Sequence, residues 1–139
     1  MKKVEVFTDG ASRGNPGKAS FGVVITVDGD TVIEESHEIG IKTNNTAEYA
    51  GLIFALSMLL ALKLEKEQIT LNSDSEFMVK QIHGQYRLKK EELAEYYLVA
   101  KNLLMRFPKI EIKHVKREKN AKADKLANLA LDEGGLWKI

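Results

Sequence analysis

The chain has 139 residues, 44% of them hydrophobic and 29% charged, enough for one domain with a proper core and too few for two. It contains no cysteine, which excludes a disulfide framework and a thiolate metal site and fits a reducing compartment. No charged-then-apolar leader opens it, the longest apolar run (Leu52 to Leu64) is too short and interrupted to span a bilayer, and the net charge of +1 gives little sequence-independent affinity for polyanions. These features predict a cytoplasmic protein with no membrane partner.

Residues 2–9 alternate in polarity and predict a first strand, with Val4 and Val6 on one face and Glu5 and Phe7 on the other. "ASFGVVITV" (19–27) predicts a second strand, and "DGD" (28–30) is a hairpin signal leading to a third, "TVIEESHEI". The period then changes. Ala47, Ala50, Gly51, Phe54, Ala55, Met58, Leu59 and Leu62 follow the three-four spacing of one helix face, while Leu52, Ile53, Leu56 and Leu60 make the other side apolar, so the helix should be covered on both sides. "QITLNSD" (68–74) predicts a fourth strand, followed by a short helix near Ser75 to His83. A second long helix should carry Leu93, Tyr96, Tyr97, Ala100, Leu104 and Phe107 on one face. "KIEIKHV" (109–115) predicts the fifth strand, and "NAKADKLANLALDE" (120–133) a last helix stopped by Gly134 and Gly135. Three strands in meander, then helix, strand, helix, strand, helix, imply an α/β fold with a mixed sheet, antiparallel at one edge and parallel at the other. Ligands of such sheets bind at the carboxyl ends of the strands, where Asp9 and Asp74 fall.

Charge is unevenly spread. Asp28 to Glu67 holds eight acidic residues against three basic, a balance of −5 that leaves +6 for the remainder. Lys109 to Lys125 holds seven basic residues against three acidic, which reads either as solvated helix and strand surface or as a footprint for a polyanion.

Four carboxylates each have an ordinary structural reading. Asp9 precedes Gly10 in a turn pair, Glu48 sits where a capping-box glutamate would follow Asn45, Asp74 could cap the next helix, and Asp124 lies in a first turn where the helix dipole favours an acid. Together they read differently. All four lie at element ends that this topology can bring to one side of the sheet, where unpaired anions would repel and raise one another's pKa values. With no cysteine to compete, a hard, oxygen-preferring divalent cation such as Mg²⁺ suits them, and two such ions can clamp the attacking and leaving oxygens of a phosphodiester.

"TDGASRGNPG", "TNNTAEYAGL", "LNSDSEF" and "NAKADKLANLA", in that order across nearly the whole chain, resemble the type 1 ribonuclease H family. The resemblance implies a single ribonuclease H-like domain over residues 1–139, with a five-stranded mixed sheet (three antiparallel strands, then two parallel) flanked by helices. It implies a monomeric endoribonuclease that hydrolyses the RNA strand of RNA–DNA hybrids with two Mg²⁺ ions (Mn²⁺ able to substitute), leaving 5′-phosphate and 3′-hydroxyl ends. Asp9 would bridge both ions, Glu48 and Asp74 would complete one coordination shell, and Asp124 would hold the other ion with its attacking water. The glycines from Gly10 onward, with Ser12, would let the backbone approach the RNA minor groove. Asn15, Asn44 and Asn45 match the family's minor-groove and backbone contacts, and Thr43 its DNA-phosphate pocket; Asn45 would also cap the first helix. Phe77 and Tyr86 match an aromatic wall beside the DNA strand, although Phe77 also reads as core.

The chain departs from the family pattern twice. The loop before the last helix, "VKREKN", lacks the histidine that many members carry, and Arg117 or Glu118 occupies its place. The long basic protrusion of some bacterial members is reduced to "HGQYRLKKEEL", with Arg87, Lys89 and Lys90 as phosphate contacts. His114, fixed in the fifth strand, is expected to be structural, His37 and His83 to be surface or helix-end residues, and Trp137 to anchor the tail. Two alternatives stand beside the hybrid nuclease: the same architecture acting on another duplex such as double-stranded RNA, and a non-catalytic nucleic-acid-binding module.

Overall fold

The computed structural model describes residues 1–87 and 91–133; Lys89, Lys90, Gly134, Gly135 and Trp137 lie outside them. In chain order the elements are β1 (Lys3–Gly14), β2 (Gly17–Val27), β3 (Asp30–Lys42), α1 (Asn44–Ala61), β4 (Gln68–Ser73), α2 (Glu76–Ile82), α3 (Glu91–Leu104), β5 (Ile110–His114), a 3-10 turn (Arg117–Asn120) and α4 (Ala121–Glu133). The strands form one five-stranded sheet in the order β3-β2-β1-β4-β5. β1 pairs antiparallel with β2 and parallel with β4, β2 antiparallel with β3, and β4 parallel with β5. This is the mixed sheet that the order of elements implied.

Register assigns the faces. Val4, Val6, Thr8 and Gly10 share one face of β1 with their β2 partners Val27, Ile25, Val23 and Phe21. Val4, Val6, Val23 and Ile25 are buried there against Tyr49, Leu52, Leu56 and Leu59 of α1, which α3 covers from outside. The alternate residues, including Asp9 and its partner Gly22, take the opposite face, where α4 lies on β2, β1 and β3. Two close approaches seat these helices. A Cβ on Gly10 would meet the Glu48 backbone nitrogen at 2.4 Å, and one on Gly22 would meet the Ala123 carbonyl oxygen at 2.4 Å. Only glycine leaves room for α1 and α4 to lie this near the strands.

The structure corrects several expectations. β1 does not end at Asp9: it continues to Gly14 and turns at Asn15–Pro16 into β2, which begins at Gly17, so the glycine-rich stretch is the arm of a long hairpin. Here glycine serves close packing within the strand and, at Gly14 (φ 101°), the turn, instead of breaking the strand. β3 likewise runs on to Lys42. α3 stops at Leu104, and Phe107 reaches the core from the turn beyond it, which leaves the helical period intact but not the helix. Leu62 is not on the buried face of α1; it caps the helix and is exposed. The cap at the other end of α1 is Thr43, whose Oγ1 accepts from the Thr46 amide at 3.2 Å, and not Asn45. The cap of α2 is Ser75, whose Oγ accepts from the Met78 amide at 3.2 Å, which relieves Asp74 of that role.

Candidate metal-binding and nucleic-acid site

β4 ends at Ser73, opposite Thr8, while β1 runs six residues further. Past Thr8 the β4 side of β1 is bare, and the carboxylates collect in that opening. Asp9 comes from β1, Asp74 from the residue after β4, and Glu48 from the first turns of α1. One oxygen from each of these three lies within 4.8 Å of the other two. Asp124, in the first turn of α4, stands near enough for its carboxyl to raise that of Asp9. The four residues singled out in the sequence are therefore brought together, three in a tight cluster and the fourth at its edge.

The cluster is buried and mutually repulsive. Asp9 and Glu48 are each 4% exposed. Burial pushes the Asp9 carboxyl far above the usual carboxylate range, and the Glu48 charge and contact with Asp124 and Asp74 push it further. Burial and the charge of Asp74 raise Glu48 to about 8, against the Gly10 amide and the positive charge of Arg117, which both pull it down. Arg117 is thus close enough to be felt by the cluster, in the 3-10 turn that replaced the expected loop. Such a set of hard oxygen donors is costly when ionised and empty of positive charge, and fits divalent cations.

The residues expected to touch nucleic acid gather around the start of α1. Asn15 Oδ1 accepts from the Asn44 amide at 3.0 Å, and Ser12 Oγ donates to the Lys42 carbonyl at 3.0 Å, tying the hairpin arm to the end of β3 and the helix start. Thr43 caps the helix and Asn45 sits in its first turn. Beside them a groove of about 410 Å³ runs between Pro16, Lys42, Thr43 and Thr46 on one side and Glu92 and Tyr96 of α3 on the other. Glu92 and Tyr96 were missed from the sequence, where Tyr96 reads only as a core position of α3. Phe77 of α2 and the exposed Tyr86 beyond that helix form a ring pair with centroids 5.9 Å apart, and Lys80 Nζ stands 5.5 Å from the Tyr86 ring.

The histidines divide. His83 closes α2 with Nε2 2.8 Å from the Ile112 carbonyl, and His37 packs between Phe21 and Phe54. His37 is therefore part of the packing between β3 and α1, not a plain surface residue. His114 is the last residue of β5, in the strand as expected, and is exposed there. Among the described residues, no helix is long and apolar enough to cross a membrane.

Comparison with known proteins agrees with this geometry. Residues 7–130 match the family model described as reverse transcriptase-like. Ribonuclease HI of Halobacterium salinarum is 42% identical over 132 residues, 94% of this chain and 65% of that protein. The crystal structure of the RNase H1 from the same archaeon superposes with a TM-score of 0.88 at 41% identity, covering 95% of this chain and 99% of that one. The structure of LC11-RNase H1 in complex with RNA/DNA hybrid gives a TM-score of 0.87 at 42% identity, covering 94% and 97%. The chain spans 65% of the length of one curated relative it matches and 36% of several others.

Proposed function

This chain belongs to the type 1 ribonuclease H family, and from that membership we propose that it is a metal-dependent endoribonuclease hydrolysing the RNA strand of RNA–DNA hybrids. The observation that carries the reading is the meeting of Asp9, Glu48 and Asp74 oxygens within 4.8 Å in the gap past the end of β4, with Asp124 near enough to raise the Asp9 carboxyl. A non-catalytic module has no reason to keep this repulsive set buried. That a structural relative at 42% identity is a complex with an RNA/DNA hybrid supports hybrid as the substrate.

On this reading Asp9, Glu48, Asp74 and Asp124 would hold two Mg²⁺ ions. When bound, the ions would neutralise the cluster and stabilise charge on the attacking and leaving oxygens of the scissile phosphodiester. The remaining tasks fall to the chain itself. The Gly10 amide fixes Glu48 by donating to its Oε1 at 2.7 Å, so this carboxylate cannot turn away from Asp9. The hairpin arm from Gly10 to Asn15, pinned to α1 through Asn44, offers backbone and small side chains to a shallow minor groove carrying 2′-hydroxyls. Thr43, at the mouth of the groove beside α1, would receive a DNA-strand phosphate together with Lys42. Phe77 and Tyr86 would flank the DNA strand, with Lys80 and Arg87 as phosphate contacts. Arg117 is placed to steady the scissile phosphate or the leaving group.

The domain reading of residues 1–139 as one unit, a monomeric state and a cytoplasmic location belong to the same proposal; the lack of cysteine accords with the last. The test is an assay of labelled RNA–DNA hybrid, RNA duplex and DNA duplex, each with Mg²⁺ and with chelator. Cleavage of the hybrid's RNA strand in Mg²⁺ alone is expected; RNA duplex cut as fast as hybrid would reassign the substrate.

A further inference from the structure

Asn120, Asp124 and Asn128 follow one another at intervals of four residues into α4. Asn120 is buried, 1% exposed, and its Nδ2 donates to the carbonyl of Thr8 at 2.8 Å. Thr8 immediately precedes Asp9, so this single bond fastens the start of α4 to the strand at the point where the carboxylate cluster begins. Its Oδ1, also buried, has no donor among the described residues, so the bond to Thr8 is the polar contact that this side chain makes there. Asn128, one turn after Asp124, donates from Nδ2 to the Asp124 carbonyl at 3.0 Å and stands 3.5 Å from its Oδ1. The helix between them is seated on β2 by the absent side chain of Gly22 beneath Ala123 and by Ser20 Oγ, which donates to the Ala127 carbonyl at 2.6 Å.

Neither asparagine is explained by helix formation. Asn128 is inside α4, where asparagine is a poorer helix former than the alanines, leucines and lysines around it. Asp124 itself is only half-buried, and its side chain has two rotatable bonds with which to leave the cluster. Asp9 and Glu48 are held by burial and by the Gly10 amide, whereas among the described residues the side chain of Asp124 has Asn128 as its hydrogen-bond partner.

We propose that Asn120 and Asn128 are positioning residues for Asp124: Asn120 sets the start of α4 on β1, and the Asn128 amide turns the Asp124 carboxylate toward Asp9. This rests on the reading of Asp124 as a metal-holding group. Residues that orient a metal ligand from behind contribute about 10–100-fold to metal affinity.

The test is a pair of substitutions measured alone and combined with Asp124→Asn, with the Mg²⁺-induced rise in melting temperature of the substrate-free protein as readout. Asn128→Ala, at a half-buried helix position, is expected to fold and to need about tenfold more Mg²⁺ for half of the rise. The KM for hybrid at saturating Mg²⁺ should stay at the wild-type value, since Asn128 acts on the carboxylate and not on nucleic acid. In the Asp124→Asn background, Asn128→Ala should add nothing. An unchanged Mg²⁺ midpoint for Asn128→Ala, or an equal shift with and without the Asp124 carboxylate, overturns the proposal. Asn120→Ala should behave in the same way; if it does not fold, Asn128→Ala decides. A wild-type protein whose melting temperature ignores Mg²⁺ would instead overturn the metal reading itself.

Discussion

The backbone amide of Gly10 donates to Glu48 Oε1 at 2.7 Å, joining residues 38 apart in sequence at the place where β1 outruns β4. Two properties of Gly10 meet there: its N–H lies beyond the last β4 partner, and its missing Cβ lets the Glu48 backbone come within 2.4 Å of where that atom would be. Gly10→Ala should therefore push α1 off the strand. An overpacked contact between two backbones predicts a loss of at least about 2 kcal/mol in denaturant unfolding. Loss of most hybrid cleavage should accompany it, because Glu48 moves with the helix.

The raised Glu48 carboxyl gives a pH-dependent prediction. Its folded pKa of about 8 lies above the ordinary 4.5, so Glu48 favours the folded state at low pH and that contribution is lost as pH rises from about 4.5 to about 8. In chelator, Glu48→Gln keeps an acceptor for the Gly10 amide and removes the buried charge. It should match wild type near pH 4.5 and become the more stable protein as pH rises, by a few kcal/mol at pH 8 and above. Saturating Mg²⁺ should narrow or reverse that gap. Melting curves of the two proteins across this range decide it: a gap that does not grow with pH contradicts the assignment.

His114 and Arg117 can be separated by substitution. His114 is exposed, so His114→Ala should change stability by no more than about 0.5 kcal/mol and turnover by no more than a few-fold. Arg117 is also exposed, yet its charge reaches Glu48. Arg117→Ala should leave folding intact and lower turnover on hybrid by about tenfold or more. Turnover at saturating Mg²⁺ and hybrid, with melting as the control for folding, distinguishes them; a slow His114→Ala beside an unaffected Arg117→Ala would exchange their roles.

Much of this molecule was legible in its sequence, for identifiable reasons. The chain order of the elements and most of the buried face of α1 followed from periodicity, which local chemistry sets directly, and the mixed sheet followed from that order. The four carboxylates stood out because each read as the end or first turn of an element, although Asp9 lies within β1, and because their motifs came in order. What escaped was fixed by tertiary contact. Gly10 to Gly14 read as a loop because glycine is usually a strand breaker, whereas here α1 needs the missing side chain. Thr43, not Asn45, caps α1 because the third strand runs three residues further than its alternation showed. His37 read as a surface residue since nothing in its neighbourhood in sequence announces Phe54, which reaches it from α1. Asn128 was invisible as anything but a polar helix residue, although its spacing of four from Asp124 was present in the sequence.

The most direct test is single-turnover cleavage of an RNA–DNA hybrid labelled on the RNA strand, with wild type and Asp9→Asn compared in Mg²⁺ and in chelator. Wild type in Mg²⁺ should cut the RNA and leave 5′-phosphate and 3′-hydroxyl ends. Asp9→Asn should fold, with a melting temperature in chelator at least equal to wild type because the amide can be buried without first taking up a proton, and should not cut. An intact RNA strand with wild-type protein, or cleavage by Asp9→Asn at the wild-type rate, would contradict the account.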